Sequence, residues 1–287
     1  MNNLAESELV LAPNGSLYHI HATGDDLADD IFLVGDPERV NMFKEFFEHV
    51  EFESQNRELH LLTGSYHGHR FTALSTGMGC DNIDIVMTEL DAALRVRGGE
   101  WHEECDRHLQ IVRIGTCGSL QADVDCGSRV ASRYAIGIDG LMNYYRDWDA
   151  PMADMEHAFA THMSLDSRLA APYCVAASER LLRDVADGMH HGITATAPGF
   201  YGPQGRTIRL HPAICDLNER LAAFSWDGMR VANLEMETSA IYGFSHLLGH
   251  EALTVCLVIA NRPCGTFLND YHNPMRQLVG TVVERLV

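Results

Sequence analysis

Short apolar runs alternate along this chain with longer stretches whose apolar positions recur at helical spacing. The runs that read as strands are 30–35 (DIFLVG), 59–66 (LHLLTGSY), 69–76 (HRFTALST), 109–115 (LQIVRIG), 128–136 (SRVASRYAI), 192–202 (GITATAPGFYG), 229–235 (MRVANLE) and 251–261 (EALTVCLVIAN). The first helix is expected over 37–50 (PERVNMFKEFFEHV), with Pro37 in the first turn, where a missing N–H costs little. Further helices are expected over 81–97, 177–189, 212–223, 236–248 and 275–286, and SYHGHRF reads as a hairpin turn between Leu62 and Phe71. Strand–helix alternation predicts an α/β fold, a mainly parallel central sheet with helices on both faces, made mixed by the hairpin. Residues 137–160 are loop-like and read as an insertion over the site. With no repeat and no low-complexity linker, a single domain spanning residues 1–287 is expected.

Composition narrows the function classes. Lysine and arginine number 21 against 40 acids, a net charge of −19, which argues against nonspecific nucleic-acid binding and against an anionic membrane surface. A small anionic substrate stays compatible, because a pocket can be locally positive in an acidic protein. The 8 cysteines form no CxxC pair or zinc-finger spacing, and several sit in apolar runs, as free thiols of a reducing compartment do. The N-terminus lacks a basic start followed by an apolar run, and no apolar stretch reaches membrane-span length, so a cytoplasmic protein is expected.

In sheets of this kind ligands gather beyond the C-terminal strand ends. There the chain places Asp36-Pro37-Glu38-Arg39, Met78-Gly79, Thr116-Cys117-Gly118-Ser119, Met236-Glu237-Thr238 and Arg262. In RIGTCGSLQ (113–121), Gly115, Thr116 and Gly118 suggest a turn whose N–H groups and Thr hydroxyl approach an oxyanion closely. Arg39, Arg57 and Arg113 would add fork-shaped donors matched to phosphate oxygens. The alternative is that Arg39 and Arg57 are surface side chains and Arg113 pairs with a buried acid. In NLEMETSA (233–240), two acids stand two apart: Glu237 suits a sugar diol, or serves as an acid favoured by a helix N-terminus, while Glu235 is expected to face the other way or sit lower. In GFYGPQGRT (199–207), Gln204 and Arg206 can read a planar ring with alternating donors and acceptors, or belong to an ordinary turn. His190-His191 and His19-x-His21 lack the spacing of a zinc enzyme, and EWHEECDRH (100–108) reads as a solvated connection.

Taken together, VGDPERV, NREL, STGMG, RIGTCGSL, FYGPQGR, NLEMETSA and VIANR resemble the nucleoside phosphorylase-I family, in its order and over about 19–262. PQGR beside Phe200 is similar to the pyrimidine (uridine phosphorylase) branch. The resemblance implies a nucleoside phosphorylase-like fold with a partly closed barrel, and reversible phosphorolysis of uridine to uracil and ribose 1-phosphate, with deoxyuridine a further candidate substrate. It implies a phosphate site of Gly35, Arg39, Arg113 and Thr116, completed by Arg57 of a neighbouring subunit. Ribose would lie against Met236 and Glu237, capped by the neighbour's His19; the base would meet Phe200, Gln204, Arg206 and Arg262. Arg206, Gln204, Arg113 and Glu237 would carry catalysis, with inorganic phosphate as co-substrate and no organic cofactor. The shared site implies at least a homodimer.

The chain departs from the family in three places. Cys117 stands where Thr or Ser is common, and Cys80-Asp81 replaces a Gly-Pro pair. Bacterial relatives hold an interfacial cation through the acid of the Arg-Glu pair, here Glu58; Asp81 and Asn82 offer oxygens suited to a harder divalent ion. The 137–160 segment is longer than the bacterial form. The competing readings are a purine nucleoside phosphorylase, which would place an aspartate where this chain has Ile259-Ala260-Asn261-Arg262; a nucleosidase, which needs no phosphate arginines; and a non-catalytic nucleoside-binding protein.

Overall fold

Asp30–Val34, the first of the apolar runs, forms strand β1 and is buried along its whole length, as a strand covered on both faces must be. The computed structural model describes residues 4–287, whose contacts divide into two compact units. The first comprises the described residues up to Val112, with Phe244–Glu251 and Val287; the second comprises Arg113–Gly243 and Ala252–Leu286.

In the first unit β1 is followed by α1 (Pro37–Val40), β2 (His49–Asn56), β3 (Leu59–Tyr66), β4 (His69–Ser75), α2 (Cys80–Arg95) and the short pair β5 (Val96–Arg97) and β6 (Glu100–Trp101). Strand β1 pairs parallel with β4, and β4, β3 and β2 form an antiparallel meander. The β3–β4 turn places His67 at φ 51° and Gly68 at φ 79°, the left-handed pair that a two-residue hairpin needs. Phe32 stacks on Phe43 at 5.3 Å and meets Phe71 edge-on at 5.2 Å, and all three are fully buried. The helix expected over 37–50 is corrected. One helical turn and a 3-10 turn (Asn41–Glu45) end before His49, where β2 begins. Residues 49–56 alternate exposed and half-buried positions, a period of two that a helix cannot use.

The second unit takes β7 (Gln110–Ser119) from Arg113 onward, then β8 (Arg129–Gly137), α3 (Ala153–Met163), β9 (Tyr173–Ala176), α4 (Glu179–Val185), β10 (His190–Thr196), α5 (Leu217–Ala223), β11 (Ser225–Trp226), β12 (Met229–Glu235), α6 (Thr238–Leu248) as far as Gly243, β13 (Glu251–Asn261) from Ala252, β14 (Thr266–Phe267) and α7 (His272–Leu286). Strands β12, β10 and β8 are parallel, β8 pairs antiparallel with β13, and β13 neighbours β7. Gly118 and Ser119 of β7 pair back onto Leu234 and Asn233 of β12, so the sheet partly closes into a barrel.

The loop expected at 137–160 is also corrected. Helix α3 begins at Ala153, and its Met155, Phe159 and Met163 are fully buried at four-residue spacing. They share a core with Ile193, Leu217, Leu221 and Phe224, and Phe159 meets Phe224 edge-on at 5.1 Å. Pro151 and the acids around it hide this stripe in the sequence. Among the described residues no helix is long and apolar enough to cross a membrane.

Candidate active site

The first unit's candidates lie on two turns and a loop. At the β1–α1 junction Asp36 accepts a hydrogen bond from the Glu38 N–H at 2.9 Å and caps the turn that carries Arg39. Gly35 is half-buried there, and a Cβ on it would lie 3.4 Å from the Gly77 carbonyl. Arg57 and Glu58 form the exposed tip of the β2–β3 hairpin. Arg57 sits at φ 53°, a left-handed conformation that costs a side-chain-bearing residue roughly 1–2 kcal/mol. Glu58 packs beside Gly77, whose φ of 72° and close neighbours Asn82 and Glu58 leave no room for a Cβ. Among the described residues no group of three His, Cys, Asp or Glu side chains gathers in a way that could hold a metal ion, at Glu58 or elsewhere. His19 lies half-buried with its Nδ1 2.5 Å from Glu89 Oε1.

In the second unit Arg113 is buried on β7 and paired to Glu237, with Glu235 Oε2 3.4 Å from its Nη1. Burial alone would push the guanidinium down, but the Glu237 and Glu235 carboxylates outweigh it and hold the pKa above its ordinary value. Among the described residues Arg113 Nε has no hydrogen-bond partner. The expected turn at 113–121 is corrected: β7 stays extended through Ser119. Gly115 serves another purpose, since a Cβ there would lie 2.0 Å from Arg113 Nη1 and 3.1 Å from Cys256 Sγ. Thr116 is half-buried on the same strand, and burial pushes the Cys117 thiol up.

Glu237 is buried at the β12–α6 junction, with half-buried Met236 before it. Glu235 anchors this turn. It accepts from Thr196 Oγ1 at 2.7 Å, the Glu237 N–H at 2.9 Å and the Thr238 N–H at 3.0 Å, satisfying donors that a helix start leaves open.

The loop after β10 brings Phe200, Gln204 and Arg206 together. A 3-10 turn (Gly202–Gln204) ends at Gly205, whose φ of 69° reverses the chain. Arg206 Nη1 donates to the Phe200 carbonyl at 2.5 Å and to Gln204 Oε1 at 2.6 Å, and its Cζ sits 3.7 Å above the Phe200 ring. Gln204 is buried, whereas Phe200 is half exposed. Burial and the nearby Arg262 lower the Arg206 pKa to about 10, and burial lowers that of Arg262. A cavity of about 1020 Å³ is lined by Arg206 and by apolar residues including Ile138, Met163 and Leu210, but not by Gln204 or Phe200.

Sequence reasoning missed two acids, Glu89 and Asp139, and expected Glu235 to face away from Glu237 or to sit lower. Glu89 is buried on α2 against His19; Glu235 holds the start of α6; and Asp139, whose pKa burial raises, accepts from Tyr173 Oη and Ser239 Oγ at 3.0 Å each. The available signal was a carboxylate in an apolar setting, as in IDIVMTELDAAL and VANLE.

Residues 30–284 match the Phosphorylase superfamily. The uridine phosphorylase of Thermococcus kodakarensis is 28% identical over 257 residues, covering 88% of this chain and 80% of that protein. A DeoD-type purine nucleoside phosphorylase of Geobacillus stearothermophilus is 29% identical over 241 residues, covering 84% of this chain and 85% of that protein. Among solved structures, a Trypanosoma brucei nucleoside phosphorylase that shows uridine phosphorylase activity aligns with a TM-score of 0.85 and 28% identity, covering 97% of this chain and 99% of that one. The fold is therefore the mixed α/β fold of that protein, with its partly closed sheet flanked by helices. With the superfamily match extending from β1 into α7, the chain belongs to the phosphorylase superfamily, among its nucleoside phosphorylases.

Proposed function

We propose that the chain is a uridine phosphorylase, converting uridine and phosphate reversibly to uracil and ribose 1-phosphate. The observation that carries this reading is the end of β13. Asn261 is buried and saturated: its Nδ2 donates to the Gln121 and Val124 carbonyls at 3.1 and 3.0 Å, and its Oδ1 accepts from the Cys264 N–H at 3.0 Å. It therefore has no proton to give a purine ring. Its neighbour Arg262 and the Arg206–Gln204 pair instead offer donors to a base rich in carbonyl oxygens. The relatives include both uridine and purine nucleoside phosphorylases, so purine cleavage is the second reading.

In this proposal phosphate is the task of Gly35, Arg39, Arg113 and Thr116, together with Arg57 from a neighbouring chain. Ribose falls to Met236, Glu237 and the neighbour's His19, and the base to Phe200, Gln204, Arg206 and Arg262. The enzyme is then at least a homodimer; the exposure of Arg57 on a strained hairpin tip supports a role outside its own chain. The glycosidic bond stretches first, the ribose becomes oxocarbenium-like, and phosphate captures it; holding phosphate in line contributes up to ~7–11 kcal/mol. Negative charge grows on the leaving base, where Arg206 and Gln204 bind it more tightly than the neutral ring.

The test is uracil release from uridine with and without phosphate, with inosine in parallel. Phosphate-dependent uracil release without hypoxanthine is expected. Phosphate-independent cleavage identifies a nucleosidase, inosine cleavage alone a purine enzyme, and silence on both a binding protein.

A further inference from the structure

The loop bearing His19 is held by side chains from two elements of the first unit. Leu17, Ile20 and Ala22 are buried, and the loop closes on itself through Leu17 N–H to Ala22 carbonyl at 3.0 Å and His21 N–H to Leu17 carbonyl at 3.0 Å. Strand β2 then takes the outward carbonyls. Ser54 Oγ donates to Ile20 at 3.0 Å, and Asn56 Nδ2 donates to His19 at 3.0 Å and Tyr18 at 3.3 Å. Ser54 and Asn56 are two apart and share a face of the strand. Helix α2 takes the amides: Glu89 accepts from the His19 N–H at 3.0 Å and the Ile20 N–H at 2.9 Å. The same carboxylate meets His19 Nδ1 at 2.5 Å. The residue after Asn56 is Arg57, at the hairpin tip.

We infer that Glu89 and Asn56 are positioning residues that present His19 and Arg57 as one preassembled arm. The inference rests on the reading that both residues complete a neighbouring chain's site. An ionised carboxylate only accepts, so Glu89 fixes the proton on Nδ1 and leaves Nε2 of the neutral ring as an acceptor for a sugar hydroxyl. Ordering two separate segments at binding would cost conformational entropy; fastening the loop to the strand that carries Arg57 removes that cost beforehand. Asn56 links the two halves, because its side chain holds the His19 loop and its backbone leads directly into Arg57.

Glu89→Gln keeps the shape and an acceptor for the backbone amides but frees the ring tautomer. It is expected to raise the KM for nucleoside about tenfold, equivalent to about 1.4 kcal/mol, with little change in the KM for phosphate. Asn56→Ala is expected to raise both. In a His19→Ala background Glu89→Gln should add nothing, since its effect passes through the ring. A further full rise there, or a rise in the phosphate KM as large as in the nucleoside KM, overturns the positioning role. Imidazole nitrogen NMR of the full-length protein decides the tautomer independently. The Nδ1-protonated form of His19 should dominate in wild type and be lost in Glu89→Gln, and identical spectra overturn the inference. Unchanged nucleoside KM in His19→Ala itself would instead overturn the placement of His19 in a neighbour's site, whatever the spectra show.

Discussion

Replacing Gly115 by alanine puts two opposite effects in competition. Gly115 lies on β7 and its φ is not in the left-handed region, so alanine meets no backbone strain there. On backbone grounds alone, glycine to alanine at a compatible site stabilises by roughly 0.4–1 kcal/mol through the unfolded chain. The added Cβ, however, would lie 2.0 Å from Arg113 Nη1, 2.8 Å from its Cζ and 3.1 Å from Cys256 Sγ. A flexible side chain would normally swing away. This one is buried and held between Glu237 and Glu235, so moving it disturbs a buried ion pair. Breaking such a pair outright costs roughly 3–5 kcal/mol. Partial displacement with the backbone gain subtracted leaves a net loss of about 2–4 kcal/mol. Thermal unfolding followed by circular dichroism should show a Tm drop on the order of 4–8 °C. Phosphorolysis should fall with it. Gly118→Ala is the control on the same strand: its nearest atoms are at 3.8–3.9 Å, ordinary contact, so its Tm should hold or rise slightly. If Gly115→Ala also holds or rises, the Arg113 side chain is not fixed by its acids, and its assigned place is wrong.

Glu237→Gln removes one of the two carboxylates that offset the buried charge of Arg113, yet retains a hydrogen-bond acceptor; turnover should fall at least tenfold and stability by about 1–3 kcal/mol, read from steady-state rates and urea melts. Arg206→Gln should cut turnover by at least tenfold, since it turns a charged donor to developing charge into a neutral one, and outright loss of such a donor costs roughly 2.7–4 kcal/mol. Its Tm should stay within about 2 °C of wild type, because relief of the Arg206–Arg262 repulsion offsets the lost hydrogen bonds to Phe200 and Gln204. Mixing inactive Arg57→Ala and Arg113→Ala chains should recover about a quarter of the wild-type sites if each site draws Arg57 from its neighbour in a dimer; no recovery would assign both arginines to one chain.

Much of the sheet was legible because its strands are long, apolar and rich in β-branched residues. Strands β3, β12 and β13 begin and end where their runs do. Strand β2 was not, because HVEFESQN shows its acids outward and only half-buries the other face. Helix α4 starts later than its apolar pattern because Ser178 caps it, accepting from the Leu181 N–H at 3.2 Å. At the site the residue types were legible, while their pairings were not. Spacing places Arg113 on a strand and Glu237 124 positions later, and only the closing of β7 onto β12 lets the two meet. Likewise, nothing local tells Glu89 that His19 will lie against it, 70 residues earlier in the chain.

The second unit carries two charge clusters of opposite balance. Arg113 lies between Glu237 and Glu235, one cation to two anions; Arg206 and Arg262 repel each other, and each is depressed by burial. In the proposed reaction the breaking glycosidic bond leaves positive charge on the ribose and negative charge on the base. A neutral nucleoside gains little from either cluster, so both contribute mainly as the charges separate, which is where binding raises the rate. Arg206 and Arg262 should then respond to charge on the base more than to its shape. 5-Fluorouracil, with a more acidic ring N–H than uracil, should bind tighter than uracil to the wild-type enzyme in the presence of ribose 1-phosphate. Arg206→Gln should remove most of that preference, because it takes away a cation while leaving an amide that can still bond a carbonyl. If the preference survives the substitution, the arginine reads the base's outline and the stabilisation of the leaving group lies elsewhere.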